Sequence, residues 1–265
     1  MNTRDMLHLT ACSDLRRNIL ISMIEQDKSL GDLREGLKIS STTALHALKE
    51  LEKNNLTFQQ KNKNYALTNT GRIITLKLID FSNAAEVMRK HERFWLDHDI
   101  SGIPEHLMEK IGWLKNSNLI QINPLDIIKT HSSYLNSVKK AKWIKGISSI
   151  YSPDYPDIFK QLVLNKIDTS LILNDEVFNK ITEITGKVNL DNAIINYRLE
   201  FLITKENLKL AFTVTDSFFS IGLFNKNGIY DTAFDLISTD NLAIQWGIEL
   251  FNYYSIKAIK YEVII

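Results

Sequence analysis

One cysteine, Cys12, stands in a chain of 265 residues. Without a second thiol there is no internal disulfide and no cysteine-rich metal site, and a reducing interior is expected. Four prolines and ten glycines are too few for a collagen-like repeat or a low-complexity chain. No stretch approaches the roughly 18 uninterrupted apolar residues that read as a membrane helix. The opening residues up to Arg17 lack the apolar run of a signal peptide. The expectation is a soluble, cytoplasmic protein without a metal or other cofactor. A dominant charge is missing as well. The formal balance is +1, so the whole chain carries no electrostatic signature of a nucleic-acid partner.

What is present is ordinary globular material, 44% hydrophobic and 24% charged, long enough for one large or two modest domains. The charge is uneven. From Lys38 to Arg72 six basic residues face two acidic ones, Glu50 and Glu52. That local excess matters if it lies on one face.

The first seventy residues supply such a face. Ser13 begins a helix to about Gln26, with Leu15, Ile19, Leu20, Met23 and Ile24 at helical spacing. A second helix fits Ser29–Leu37. After a turn, Ser40 or Ser41 caps a third helix reaching Lys53, with Ala44, Leu45, Leu48 and Leu51 inward. Its opposite side shows Thr42, Thr43, His46, Lys49, Glu50 and Lys53. Leu56–Gln60 and Tyr65–Leu67 read as strands about a Lys61-Asn62-Lys63-Asn64 turn, and Thr68 caps a long helix. Recognition helix, hairpin and Tyr65-x-Leu67-Thr68-x-x-Gly71 in that order resemble the winged-helix regulators of the ArsR-like and MarR-like kind.

The chemistry fits double-stranded DNA. Ser40, Ser41, Thr42 and Thr43 sit at a helix N-terminus, where amide groups and the dipole favour a phosphate. His46, Lys49 and Lys53 can reach base edges or phosphates, and Lys61, Asn62 and Lys63 occupy the wing tip. Taken singly, each is also what a solvated helix face contains. His46 lacks a second ligand at i+4, which argues against a metal there.

From Gly71 to about His98 the helical pattern continues with apolar residues on more than one side, among them Ile73, Leu76, Phe81 and Met88. Such a connector needs a partner, and pairing of two copies would set two recognition helices on successive turns of DNA.

Beyond it, strands are expected at Leu119–Ile122, Trp143–Tyr151, Thr169–Leu173, Arg198–Ile203, Leu208–Val214, Phe218–Phe224 and Ile229–Ala233, with an Asn227-Gly228 hairpin turn. Helices are expected at Pro124–Ala141, Tyr155–Lys166, Asp175–Ile184, Leu190–Asn196 and Asp240–Ile256. The result is an α/β domain around a mixed sheet. Three stretches, FWLDHDISGIP (Phe94–Pro104), LKLAFTVTDSFFSIGLFNKNGIYDTAFDLIS (Leu208–Ser238) and AIQWGIELFNYY (Ala243–Tyr254), resemble the middle domain of archaeal methanogenesis-regulatory proteins. The resemblance spans nearly the whole chain. It implies an archaeal winged-helix transcription regulator with a ligand-sensing domain; cysteine-based redox switching is not expected, because Cys12 has no partner. Such domains are similar, at the level of fold, to phospholipase D-like ligand-binding domains of sugar-responsive archaeal regulators. Phospholipase chemistry itself is excluded, since none of the six histidines is followed two places later by lysine.

No His-Glu-x-x-His, Gly-rich phosphate loop or Gly-x-Ser-x-Gly occurs, so an enzyme is not expected. Asp97-His98-Asp99 and His131-Ser132-Ser133 read first as a hydrogen-bonded corner and a polar helix face. Polar and aromatic groups near strand ends give the effector-site candidates Trp143, Tyr151, Tyr155, Asp216, Ser220 and Asp231, although such aspartates also cap turns. The expected organisation is therefore three-part: a winged-helix head over residues 1–70, a connector and dimerisation helix over 71–98, and an effector-sensing α/β domain over 99–265. The expected function is a homodimeric DNA-binding transcription regulator responding to a small molecule. The competing reading is a protein-interaction module whose C-terminal domain binds a protein partner.

Overall fold

The computed structural model describes residues 2–121, 140–152 and 164–263, with Ile158, Gln161 and Leu162. The chain divides into two compact units, Met1–Ala85 and Glu86–Ile265.

In the first unit, α1 (Thr3–Thr10) and α2 (Asp14–Ser22) precede α3 (Leu30–Leu37) and α4 (Ser41–Lys53). Side chains satisfy the free amides at each start: Asn2 caps α1, Ser13 caps α2, Ser29 and Asp32 close a capping box on α3, and Ser40 caps α4. Ile19, Leu20, Leu33, Ala47, Leu48 and Leu51 fill the space between the helices, and Leu45 is only half buried. The hairpin β1 (Thr57–Gln59) and β2 (Tyr65–Leu67) follows, and Tyr65 also exchanges two backbone hydrogen bonds with Lys28. α1 carries no counterpart among the expected elements, and α2 ends four residues early.

The motif Tyr65-x-Leu67-Thr68-x-x-Gly71 now has a physical content. Tyr65 is buried in the core, and Thr68 Oγ1 accepts from the Gly71 amide at the start of α5 (Asn69–Lys90) while donating to the Asn55 carbonyl. Gly71 lies so close to β1 that a β-carbon there would stand 1.8 Å from the Leu56 carbonyl oxygen. Only glycine permits that approach.

The second unit is built on a mixed nine-stranded sheet. In space its order is β11 (Ile259–Lys260), β7 (Leu199–Thr204), β6 (Asp168–Asn174), β5 (Trp143–Ser148), β8 (Leu210–Thr215), β9 (Phe219–Asn225), β10 (Phe234–Ser238) and β4 (Asn118–Gln121), with β3 (His98–Asp99) also on β9. β5, β6 and β7 run parallel, and the other pairs are antiparallel. After the short α7 (Glu105–Met108), α8 (Asp175–Thr185) and α9 (Lys187–Asn196) cross from β6 to β7, as parallel neighbours require. α10 (Asn241–Ser255), capped by Asp240, lays Trp246, Leu250 and Phe251 on the core with Phe212, Val214 and Phe219. Gly247 lets the helix sit on Phe219, whose ring a β-carbon would meet at 2.5 Å.

Two expectations are corrected here. The long connector is not one helix. α5 ends at Lys90, α6 (Glu92–Asp97) starts beyond His91, and His98 already belongs to the sheet. The strand expected at Ile229–Ala233 lies instead at Phe234–Ser238, because Asp231 accepts the Ala233 amide in a turn and delays the pairing. β3 and β11, each two residues long, are below what alternation can reveal. The Asn227-Gly228 turn is present, with Gly228 at φ 84° and its amide bonded to Asn225. Ile122, most of the helix expected at Pro124–Ala141, and half of that at Tyr155–Lys166 lie outside the described residues, as do His131, Ser132 and Ser133. Among the described residues, no helix is long and apolar enough to cross a membrane.

Candidate nucleic-acid interface

α4 separates its residues by face. Ala44, Ala47, Leu48 and Leu51 are buried, whereas Thr42, Thr43, His46, Lys49 and Lys53 are exposed at a spacing that places them on one side. Glu50, which would have interrupted that side with a negative charge, is turned to Arg16 of α2 at 2.7 Å. The first turn of α4 contains no acidic residue.

The four polar residues at its N-terminus divide their roles. Ser40 Oγ accepts from the Thr43 amide at 3.1 Å and lies 2.7 Å from Thr43 Oγ1, so these two hydroxyls are engaged in the cap. Ser41 is half buried and Thr42 exposed.

At the wing tip Lys61, Asn62 and Lys63 are exposed. Asn62 Oδ1 accepts from the Asn64 amide, and the Lys63 amide donates to Gln60, so the turn is set by its own atoms. Gln60 Nε2 donates to Asp27 at 2.8 Å and ties the wing to the turn between α2 and α3. Lys63 adopts φ 67°. Lys38, which is not among the residues expected from the sequence to meet DNA, adopts φ 54° at the turn between α3 and α4, and is exposed. Both lysines occupy a conformation that glycine and asparagine adopt most readily. Among the described residues, Lys38, Lys49, Lys53, Lys61 and Lys63 make no salt bridge. The only sequence sign of Lys38 is its place just before the Ser40 cap.

The effector-site candidates are not brought together. Trp143 begins β5, half buried against the main core, and Asp216 in the nearby β8–β9 turn accepts the Lys142 amide at 3.0 Å. Tyr151 lies past the opposite end of β5, beside the cluster of Phe178 and Phe201. Ser220 is buried within β9, opposite Thr213 and Ile237. Asp231 pairs with His98 at 3.1 Å, and Tyr155 lies outside the described residues. An open cleft of about 540 Å³ borders other residues, including Asp175, Thr204, Lys205, Lys257 and Tyr261. Among the described residues no group of three His, Cys, Asp or Glu side chains is placed to hold a metal, and Asp97 points to Arg93.

Comparison with known proteins matches both parts of the chain to one family. The N-terminal domain of the methanogenesis regulatory protein FilR1 matches residues 4–84, and its middle domain residues 127–256. The methanogenesis regulatory protein FilR1 of Methanothrix harundinacea (strain 6Ac) is 28% identical over 268 residues. That match covers 96% of this chain, which spans 58% of the relative. Among solved structures, TrmBL2, described as an archaeal chromatin protein with a novel mode of DNA binding, aligns over 97% of this chain and 98% of its own, at 16% identity and TM-score 0.43. An IclR transcriptional regulator from Alicyclobacillus acidocaldarius aligns over 91% and 94%, at 9% identity and TM-score 0.25. The phospholipase D-like expectation for the C-terminal domain finds no support. The two domain matches take in most of the chain and agree with each other and with the relative: this chain belongs to the family of the methanogenesis regulatory protein FilR1.

Proposed function

We propose that this chain is a DNA-binding transcription regulator, dimeric through its own copy, whose C-terminal α/β domain responds to a small-molecule effector. The observation that carries the reading is the exposed face of α4. It has a first turn without acidic residues, His46, Lys49 and Lys53 in line, and lysines on the turn before it and on the wing after it. This is a surface for a polyanion into whose major groove a helix fits. The family match supports an archaeal source, a regulatory role and non-enzymatic action. Pairing is supported by α5, where Ile73, Leu76 and Phe81 are exposed. An effector would act only through its different affinity for the DNA-competent and incompetent forms.

The test is footprinting on the promoter of the chain's own gene, beside His46→Ala/Lys49→Ala, together with a salt titration of affinity. Protection that vanishes in the double variant, and a log–log salt slope near −0.9 per phosphate neutralised, are expected. Binding that ignores salt and both substitutions would sink the DNA reading in favour of a protein partner.

A further inference from the structure

His98 is buried and both of its ring nitrogens meet oxygen. Nδ1 lies 2.7 Å from the carbonyl oxygen of Phe94, and Nε2 lies 3.1 Å from Oδ2 of Asp231. A carbonyl oxygen only accepts, so Nδ1 carries a hydrogen and donates it. A carboxylate also only accepts. The contact at Nε2 therefore requires a second proton, either on the ring, giving an imidazolium, or on Asp231, donating to a neutral ring. Remove it, and a ring lone pair faces a carboxylate at 3.1 Å.

The pair sits at one of the shortest strands of the sheet. β3 consists of His98 and Asp99 alone, paired with Asn225 and Phe224 of β9. Asp231 belongs to the connection from β9 to β10, where its amide donates to Leu223 and its Oδ1 accepts from Ala233. The side-chain contact thus joins segments 133 positions apart in the chain. A second carboxyl, that of Asp235, feels the charge of Asp231. Asp235 of β10 has its Oδ1 2.8 Å from where a β-carbon of Gly222 would be, beside the Tyr230 hydroxyl. The other charged groups on the surrounding elements face elsewhere: Asp97 of α6 is exposed beside Arg93, Asp99 accepts from Ser101 and lies 4.0 Å from Lys209, and Lys226 is exposed in the hairpin.

We propose that His98 and Asp231, with Asp235 beside them, form a proton-dependent clasp that holds β3 on β9 and opens as protons leave. Two events act in one direction. Loss of the proton at Nε2 removes the attraction, and ionisation of Asp235 adds a negative charge near Asp231. Burial and the charge of Asp231 push the Asp235 carboxyl up to about 6, which brings this second event into the neutral range. Acidification closes the clasp and alkalinity loosens it. The clasp does not depend on whether the head binds DNA.

Hydrogen exchange of the full chain, corrected for the intrinsic effect of pH, reads the clasp at the amides of β3 and of Asn225 and Asp231. Protection in the unaltered protein is expected to fall on the order of tenfold between pH 5.5 and pH 8. Asp235→Asn, which removes a half-buried charge and keeps the shape, should leave protection at pH 5.5 unchanged and raise it at pH 8. His98→Gln should give low protection that is flat with pH. A flat profile in the unaltered protein, or an Asp235→Asn effect of equal size at both pH values, would overturn the proposal. The first variant suffices if the second does not fold.

Discussion

Two residues in the head are held to one identity by opposite kinds of constraint. Gly71 is steric: any β-carbon drives into the Leu56 carbonyl, so either α5 or the hairpin has to move. Gly71→Ala should lower the stability of the head by about 3 kcal/mol, the upper part of the overpacking range, read as a fall in the urea midpoint. Lys38 is the reverse case. Its left-handed backbone is a cost that glycine avoids, offset in part by glycine's larger unfolded-state freedom. If the lysine is kept for its charge beside the α4 N-terminus, Lys38→Gly should gain about 0.5–1 kcal/mol in stability while losing DNA affinity. The salt slope should then drop by about 0.9, one phosphate contact fewer. Loss of affinity together with loss of stability would mean that Lys38 serves the turn alone. These opposite signs separate contact from scaffolding.

Among the elements, those announced by local chemistry are legible in the sequence. Ser13, Ser40 and Thr68 are caps in sequence and in structure, and the Asn227-Gly228 turn falls where its dipeptide predicts. Elements whose existence depends on distant partners are not. β3 forms because β9 passes beside it, and β10 starts late because Asp231 spends its carboxylate on Ala233 and His98. The exposed face of α4 is readable from its spacing. The left-handed state of Lys38, set by how α3 ends, is not. The effector-site candidates show the same limit, since proximity to strand ends does not say which end, and Trp143 and Tyr151 lie at opposite ends of β5. At this scale α5 carries its own prediction. Phe81 is 70% exposed and Ile73 63%, a large apolar cost unless covered. If the proposed pairing uses this face, Ile73→Glu/Phe81→Glu should shift the chain from dimer to monomer in sedimentation equilibrium and weaken promoter binding with the urea midpoint unchanged. A dimer that survives the pair of charges would move the interface off this face.

Across the whole molecule, stability responds to pH through groups that pull in opposite directions. Hydrogen bonds from Ser29, Ser101 and Asn116 hold Asp32, Asp99 and Asp240 below the ordinary carboxylate range, and Lys260 does so for Glu200. Their contributions are present above the unfolded values and vanish as pH falls through the folded ones. His91, buried against the Ser117 carbonyl, has its affinity for a proton lowered by burial, and so likewise favours the folded chain above its unfolded value and penalises it as pH falls. Asp235 is the opposing group. Its value is raised from 3.8 to about 6, so its contribution is complete below the unfolded value and is lost as pH rises through 6. At about 1.4 kcal/mol for each tenfold change in proton affinity, the loss amounts to about 3 kcal/mol once the group is fully ionised, and water reaching the site reduces it. Subtracting one protein from another isolates this contribution from the rest. Asp235→Asn and the unaltered chain should unfold at the same urea midpoint at pH 4. The variant should become the more stable by about 1–3 kcal/mol at pH 7.5, with the difference growing between pH 4 and about 6.5. A difference that is constant with pH would mean that the carboxyl at 235 is already neutralised by a partner, and that burial there costs the fold nothing.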